Sequence, residues 1–180
     1  GLRMHLHSDG DQMISARLRD ERCWESYETA LTLQHLQPGD VYVDVGANIG
    51  YYTLIAAQRV GPQGRVIAYE PDDDNFALLQ DNVALNHLSN VAIHHCALSD
   101  KQAVGQLFLS EDNFGDHRIY HSPESRESRA ITLVKGDEHV GQQTQRIDFL
   151  KVDTQGSEYF VLNGFRNLLE ANRHHIRMMI

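Results

Sequence analysis

The sequence predicts an α/β fold in which a mostly parallel central sheet carries helices on both faces. Two observations predict it: buried-strand patterns alternate with segments of helical spacing, and neither a repeat nor a linker interrupts the alternation. Parallel neighbours in a sheet need a crossover connection, and a helix between two strands supplies it. At 180 residues, the chain is expected to form a single domain.

The elements follow one another in a regular order. The pattern of a buried strand recurs in residues 40–46, 64–71, 90–98, 146–156 and 176–180. Apolar side chains at helical spacing occupy residues 51–59, 72–88 and 157–171. The helix at 72–88 opens with aspartates that can cap its first turn. We expect residues 1–38 to form a helical lead-in and residues 39–180 to form the ligand-binding core.

The alternation changes between the third and fourth strands. Residues 104–110 and 129–134 have the pattern of an antiparallel pair, and they flank a polar insertion at residues 111–128. Polar loops on a rigid scaffold often carry binding residues. We therefore expect the insertion to form a loop over the substrate, with a solvated surface loop as the alternative.

Composition limits the partners. Sixteen basic and 25 acidic side chains give a net charge of −9, which disfavours electrostatic capture of nucleic acid. No apolar stretch approaches the roughly 18 residues of a membrane span, and the start shows no signal-peptide pattern. Cys23 and Cys96 form no metal or disulfide pattern. We expect a cytoplasmic protein without a membrane span or a nucleic-acid partner; its oligomeric state is left open.

The end of the first strand carries the first functional signal, VDVGANIG at residues 43–50. Ligands of open parallel sheets bind at the carboxyl ends of strands, and Gly46 and Gly50 allow a tight turn there. Dinucleotide sites have the spacing G-x-G-x-x-G, whereas this turn has G-x-x-x-G. An acid before the turn would also repel a pyrophosphate. Asp44 therefore suits a cationic group, such as the ammonium of a methionine moiety.

The end of the second strand carries a second acid, Glu70. A carboxylate at this position can accept both hydroxyl groups of an adenosine ribose, although dinucleotide enzymes use the same contact. Asp44, the G-x-x-x-G turn and Glu70 together indicate S-adenosylmethionine as the ligand.

Four segments carry a resemblance to a known family: PGDVYVDVGANIGYYTLIAA, VIAYEPDDDNFALLQDNVALN, ALSD and DFLKVDTQGSEYFVLNGF. From about Trp24 onward, the chain resembles the FkbM-type family of class I S-adenosylmethionine-dependent methyltransferases. The most specific segment is the last, with its K-x-D-x-x-G-x-E pattern after the fourth strand. The family usually has Val-Glu where this chain has Thr154-Gln155, which removes one charge beside the site.

The resemblance implies a Rossmann-like class I methyltransferase fold that continues past residue 180 with further strands. It also implies a cofactor site. The residues lining the methionine part would be Asp44, Gly46, Ala47, Asn48 and Gly50. Glu70 would bind the ribose, and the residues bordering the adenine would be Pro71, Asp72 and Ala97. Asp153 would face the methionyl group and the transferred methyl.

The polar insertion supplies the candidates for the acceptor side. NFGDHR resembles a family segment there, which makes Asn113 and Arg118 candidate substrate-binding residues. His117 and Asp153 are the candidate general bases, since histidine titrates near neutral pH. Asp112, Asp116, His117 and His121 could form a metal site if the segment were helical, but Gly115 and Pro123 break the segment and no further ligand has a familiar spacing. No metal is predicted.

The function expected from these residues is S-adenosylmethionine-dependent methylation, at a hydroxyl oxygen of a small molecule or glycan. The N/D-P-P-Y/F motif that amino-methylating nucleic-acid enzymes usually carry after the fourth strand is absent from this sequence. Two alternatives stay open: a non-catalytic module that binds S-adenosylmethionine, and an NAD-dependent oxidoreductase.

Overall fold

The structure is a computed structural model that describes residues 1–119 and 126–180. His121, Pro123 and the middle of the predicted insertion lie outside the described residues. The helices are α1 (Ile14–Glu21), α2 (Ser26–His35), α3 (Tyr51–Val60), α4 (Asp73–Leu85), α5 (Gly136–His139), α6 (Glu158–Gly164) and α7 (Arg166–Asn172). The strands are β1 (Val41–Val45), β2 (Arg65–Tyr69), β3 (Val91–His94), β4 (Ala97–Ser99), β5 (Ala103–Phe108), β6 (Ser128–Lys135), β7 (Phe149–Val152) and β8 (Arg177–Met179).

Five parallel strands form the main sheet, in the order β3-β2-β1-β7-β8. The first crossovers move outward from β1 through α3 and α4, and the last moves from β7 to β8 on the other side. The direction of winding therefore switches between β1 and β7. Ligand sites of open α/β sheets form at such a switch point.

Both faces of the main sheet are covered, as the sequence predicts. Alternate residues of β1 point to opposite faces. Tyr42 packs with Ala56 of α3 and with Phe149 of β7 on one face. Val43 belongs to the larger core on the other face, where α6 and α7 contribute Val161 and Leu168. The predicted mostly parallel sheet with helices on both faces is confirmed.

Within the described parts of the chain, no helix combines the length and the apolar composition that a membrane crossing needs.

The segment in which the sequence departs from strand-helix alternation forms a second sheet. Its order is β4-β6-β5, with β5 and β6 antiparallel and β4 parallel to β6. The predicted antiparallel pair is confirmed. The prediction of one strand over residues 90–98 is wrong, because β3 and β4 belong to different sheets and the chain bends at His95 and Cys96.

The last predicted helix, residues 157–171, is also divided, into α6 and α7. Gly164 ends α6 against β4, where an added Cβ would lie 2.0 Å from the carbonyl oxygen of Ser99. The carboxylate of Asp137 then accepts hydrogen bonds from the backbone N–H groups of Asn167 and Leu168, at 3.0 and 2.9 Å. This acceptor from outside the helix satisfies the free donors at the start of α7.

The ends of β1 and β7 come into close contact at Gly46. This residue has φ +79°, and a Cβ built on it would lie 1.9 Å from the carbonyl oxygen of Asp153. A side chain at this position would force apart the two strand ends that flank the switch point.

We expect Gly46→Ala to lower the free energy of unfolding by about 2–5 kcal/mol, measured by urea denaturation. A left-handed backbone costs a side-chain-bearing residue roughly 1–2 kcal/mol, and the clash adds roughly 1–3 kcal/mol. Gly39→Ala is the matched control, because Gly39 has φ +88° but no atom within 4 Å of an added Cβ. Equal losses in the two variants would show that the close contact has no role.

Candidate functional site

A cleft lies at the carboxyl ends of β1, β2 and β7, and encloses about 980 Å³ including its open mouth. The structure places a large part of the predicted site around it. The predicted residues that line the cleft are Gly46, Ala47, Asn48, Glu70, Pro71, Ala97, Asn113, His117 and Asp153. Those outside the lining are Asp44, Gly50, Asp72 and Arg118.

Glu70 is held at the cleft by the backbone. Its Oε2 accepts a hydrogen bond from the N–H of Asn48 at 2.7 Å, and its Oε1 accepts one from the N–H of Asp72 at 3.0 Å. Burial raises the pKa of Glu70 to about 7, against the opposing effect of these two hydrogen bonds. Each carboxylate oxygen can accept a further donor. The side chain is therefore fixed in direction and can still accept two hydroxyl groups.

Asp44 lies beneath the cleft, fully buried. Its Oδ2 accepts a hydrogen bond from Oγ1 of Thr53 at 2.6 Å, and its Oδ1 lies 3.9 Å from Nζ of Lys151. Burial raises the pKa of Asp44, whereas Lys151 and Thr53 act to lower it. In the structure, the cation that Asp44 faces is Lys151 of this chain, and the predicted contact of Asp44 with a ligand stays a prediction.

Gly50 and Asp72 support the helices beside the cleft. Gly50 precedes α3 with φ +94°, and an added Cβ would lie 2.6 Å from Cδ1 of Leu79 on α4. The carboxylate of Asp72 accepts hydrogen bonds from the N–H groups of Asp74 and Asn75, both at 3.0 Å, and so caps α4. Neither residue lines the cleft, but both hold the helices beside it in place.

Lys151 is a cleft residue to which the sequence analysis assigned no role. Its side chain is buried, with Nζ 3.3 Å from Oδ2 of Asp153 and 4.9 Å from the centre of the Tyr52 ring. The available signal was a lysine inside the apolar strand FLKV, since a lysine is seldom buried without a charged partner.

Asp153 lies at the rim of the cleft, with its side chain 42% exposed. Besides Lys151, it accepts a hydrogen bond from Nε2 of Gln155 at 2.8 Å. Glu158, and not Asp153, stabilises the following turn: its Oε1 accepts hydrogen bonds from the N–H groups of Thr154 and Gly156. Asp153 therefore remains available to a ligand.

The lead-in contributes Trp24 and Glu25 to the cleft, which the sequence analysis also missed. Glu25 has φ +43°, and its Oε2 accepts a hydrogen bond from Oη of Tyr52 at 3.0 Å. Burial, reinforced by the charge of Glu25, raises the pKa of Tyr52. The phenol thus keeps its proton and acts as the donor.

His117 lines the cleft, and the contacts of its two ring nitrogens determine where its proton lies. The N–H of Ser110 donates to Nδ1 at 3.0 Å, so the neutral ring carries its proton on Nε2. Nε2 lies 4.0 Å from Oδ2 of Asp72, and burial lowers the pKa of His117 despite that charge. This arrangement leaves no free lone pair for the predicted general base.

The described part of the polar insertion lies against the cleft. The carbonyl oxygen of Phe114 accepts hydrogen bonds from the side-chain amides of Asn48 and Asn75, both at 3.0 Å. Asn113 lines the cleft beside it. Arg118 lies outside the lining, and its Nε donates to Oδ1 of Asp116 at 2.8 Å. Five residues of this segment therefore contribute to one wall of the cleft: Asn113, Phe114, Gly115, His117 and Ile119.

Acidic groups outnumber basic ones in the described lining. Glu25, Asp153 and, once it has lost its proton, Glu70 are accompanied by a single lysine, Lys151, and the lowered pKa of His117 favours its neutral form. A cleft with this balance attracts a cationic ligand and repels phosphate groups. No cluster of three metal-ligating side chains occurs among the residues that the structure describes.

The fold and the chain resemble known methyltransferases. A methyltransferase FkbM from Methylobacillus flagellatus KT has a TM-score of 0.55 and 19% identity; the match covers 85% of this chain and 39% of that one. The class I methyltransferase fold is thereby confirmed.

Two relatives show the resemblance in sequence. The 31-O-demethyl-FK506 methyltransferase FkbM of Streptomyces tacrolimicus is 33% identical over 111 residues, covering 60% of this chain and 39% of that protein. The hexuronic acid methyltransferase AglP of Haloferax volcanii is 28% identical over 156 residues, covering 86% of this chain and 62% of that protein. The chain thus spans less than two thirds of either relative. The Methyltransferase FkbM domain matches residues 44–180, and the chain therefore belongs to the FkbM methyltransferase family.

Proposed function

We propose that this protein is an S-adenosylmethionine-dependent methyltransferase that acts on a hydroxyl group of a small molecule or glycan. The observation that carries the proposal is the oriented carboxylate of Glu70 at one end of a cleft rich in acids. A ribose diol needs two acceptors, and the sulfonium and ammonium groups of the cofactor need negative surroundings.

The residues of the cleft fit this cofactor. Glu70 would accept the two ribose hydroxyls, and Pro71 and Ala97 would border the adenine. The methionine part would lie along Gly46, Ala47 and Asn48, where the tight turn permits close approach. Asp44, Gly50 and Asp72 lie outside the lining, and we assign them no direct contact with the cofactor.

The charge of the cleft disfavours the oxidoreductase alternative. A dinucleotide carries a pyrophosphate, which would approach Glu25, Glu70 and Asp153 with Lys151 as the one basic side chain in the described lining. Like charges without compensation weaken binding. The G-x-x-x-G turn supports the same choice.

The names of two relatives support an oxygen acceptor. One is named for 31-O-demethyl-FK506 and the other for hexuronic acid, which are hydroxyl-bearing molecules. Asn113 lines the described wall of the cleft and is proposed to contact the acceptor. Arg118 is not proposed to do so, because it lies outside the lining. The absence of a nucleic-acid partner and the cytoplasmic location stay predictions.

When bound, the cofactor supplies an electrophilic methyl group, and the protein must hold the acceptor in line with it. Positioning of this kind can lower a barrier by roughly 7–11 kcal/mol. Asp153 is proposed as the general base, since it is exposed at the rim and can take the proton of an acceptor hydroxyl. His117 is the less suitable candidate because Nδ1 accepts the Ser110 hydrogen bond.

Turnover tests the reaction. With tritium-labelled S-adenosylmethionine and a panel of uronic acids and other hydroxyl-bearing small molecules, we expect S-adenosylhomocysteine and a labelled methyl ether. Asp153→Asn should reduce the rate by roughly 10²–10⁴. Tight cofactor binding without turnover on any acceptor of the panel would favour the non-catalytic module instead.

The pKa of Glu70 yields a second prediction. With a free-protein pKa of about 7, Glu70 is mainly protonated at pH 6 and must lose its proton to accept both ribose hydroxyls. Binding of S-adenosylhomocysteine should release about one proton at pH 6 and far less at pH 8, and affinity should rise over that range. Calorimetry in buffers of different ionisation enthalpy measures the release.

Glu70→Gln is the matched control, because it keeps the shape of the side chain and removes its titration. This variant should bind S-adenosylhomocysteine roughly tenfold or more weakly, and the Glu70 share of the proton release should vanish. The same pH dependence in both proteins would contradict the ribose assignment.

A further inference from the structure

Lys151 is a buried cation with unused hydrogen-bonding capacity in the cleft. Its residue is 4% exposed, yet among the described residues its ammonium makes one hydrogen bond, to Oδ2 of Asp153 at 3.3 Å. An ammonium group has three donors. Asp44 lies at 3.9 Å, which is an ion-pair distance and not a hydrogen bond. The remaining donors of Lys151 need a partner, and the residue lines the cleft.

The surroundings explain why Lys151 remains in the interior. A buried ammonium requires a counter-charge, because its desolvation costs several kcal/mol. Asp44 supplies that charge from the neighbouring position on β1, where the two residues are partners in the strand register. Thr53 orients the Asp44 carboxylate from α3, and the Tyr52 ring covers the ammonium. Asp44 is fully buried and holds Lys151, whereas Lys151 reaches the cleft.

The position of Lys151 in the sheet indicates which group of the cofactor it would contact. Glu70 follows β2, and Lys151 lies on β7, with β1 between them. Neighbouring strands are about 4.8 Å apart, so the two residues belong to positions about 10 Å apart across the sheet. If the ribose binds at Glu70, a cofactor lying along the cleft would place its amino-acid end near β7 and Lys151. The anionic group of that molecule is its amino-acid carboxylate.

We propose that Lys151 binds the carboxylate of the methionine part of the cofactor, and that Asp44 positions Lys151 for this contact. The inference rests on the proposed function, since it takes S-adenosylmethionine as the ligand. In this inference Asp44 positions the Lys151 side chain, and Lys151, on the adjacent strand, contacts the carboxylate of the cofactor. Asp153, which accepts hydrogen bonds from Lys151 and Gln155, would then face the ammonium and the acceptor from the rim.

The test compares two ligands that differ in the amino-acid part. S-adenosylhomocysteine carries the carboxylate, whereas 5′-methylthioadenosine has the same nucleoside and sulfur without it. The double variant Asp44→Asn/Lys151→Met removes both charges and keeps the buried site neutral. We expect its affinity for S-adenosylhomocysteine, measured by calorimetry, to fall roughly tenfold to a hundredfold. Its affinity for 5′-methylthioadenosine should change less than about threefold, because the nucleoside contacts are intact.

Controls separate the possible failures. Lys101→Met removes an exposed lysine outside the cleft and should leave both affinities unchanged. Thermal melting establishes that each variant is folded, and the ratio of the two affinities within one variant is insensitive to a uniform loss of active protein. Equal losses for both ligands, or an unchanged affinity for S-adenosylhomocysteine, would overturn the role of Lys151. Failure of the unmodified protein to bind S-adenosylhomocysteine would overturn the proposed function itself.

Discussion

The arrangement of the cleft depends on one buried ion pair, between Asp44 of β1 and Lys151 of β7. These residues are partners across adjacent strands, and each would be costly to bury alone. Thr53 adds a hydrogen bond from α3, so one carboxylate connects two strands and a helix. The pair lies where the winding of the sheet switches direction. The floor of the cleft is therefore charged, although it is almost inaccessible to solvent.

A second carboxylate organises the opposite end of the cleft. Glu70 accepts backbone hydrogen bonds from both neighbouring turns, one after β1 and one after β2. Its burial raises the pKa to about 7, so the protonation state of Glu70 responds to pH near neutrality. Gly46 completes the frame, because its missing side chain lets the ends of β1 and β7 meet. Hydrogen bonds within the protein therefore hold the walls of the cleft in place without a ligand.

The cleft has distinct ends, and this asymmetry suits a transfer reaction. Glu70 is at the β2 end, and Lys151, Asp153, Tyr52 and Glu25 gather at the β7 end. A cofactor bound along this axis would present its amino-acid part, and the nearby sulfonium, to the more polar end. The lead-in and the described part of the insertion close two sides, and they carry the residues that an acceptor would meet. Family membership accounts for the shared core, while these two segments are where acceptor choice would be decided.

The sequence by itself determined the alternation of elements, the parallel sheet, the antiparallel pair, the family and the position of the cleft. Periodicity and turn residues are local properties, and local properties can be read from a single chain. Only the tertiary structure decided that residues 90–98 serve two sheets and that α6 and α7 are separate, since Gly164 and Asp137 act through residues distant in sequence. It also decided that Asp44 faces Lys151, and that Glu25 and Tyr52 meet in the cleft. Which charge a buried acid faces depends on strand register and helix packing, and neither is written in the spacing of a motif.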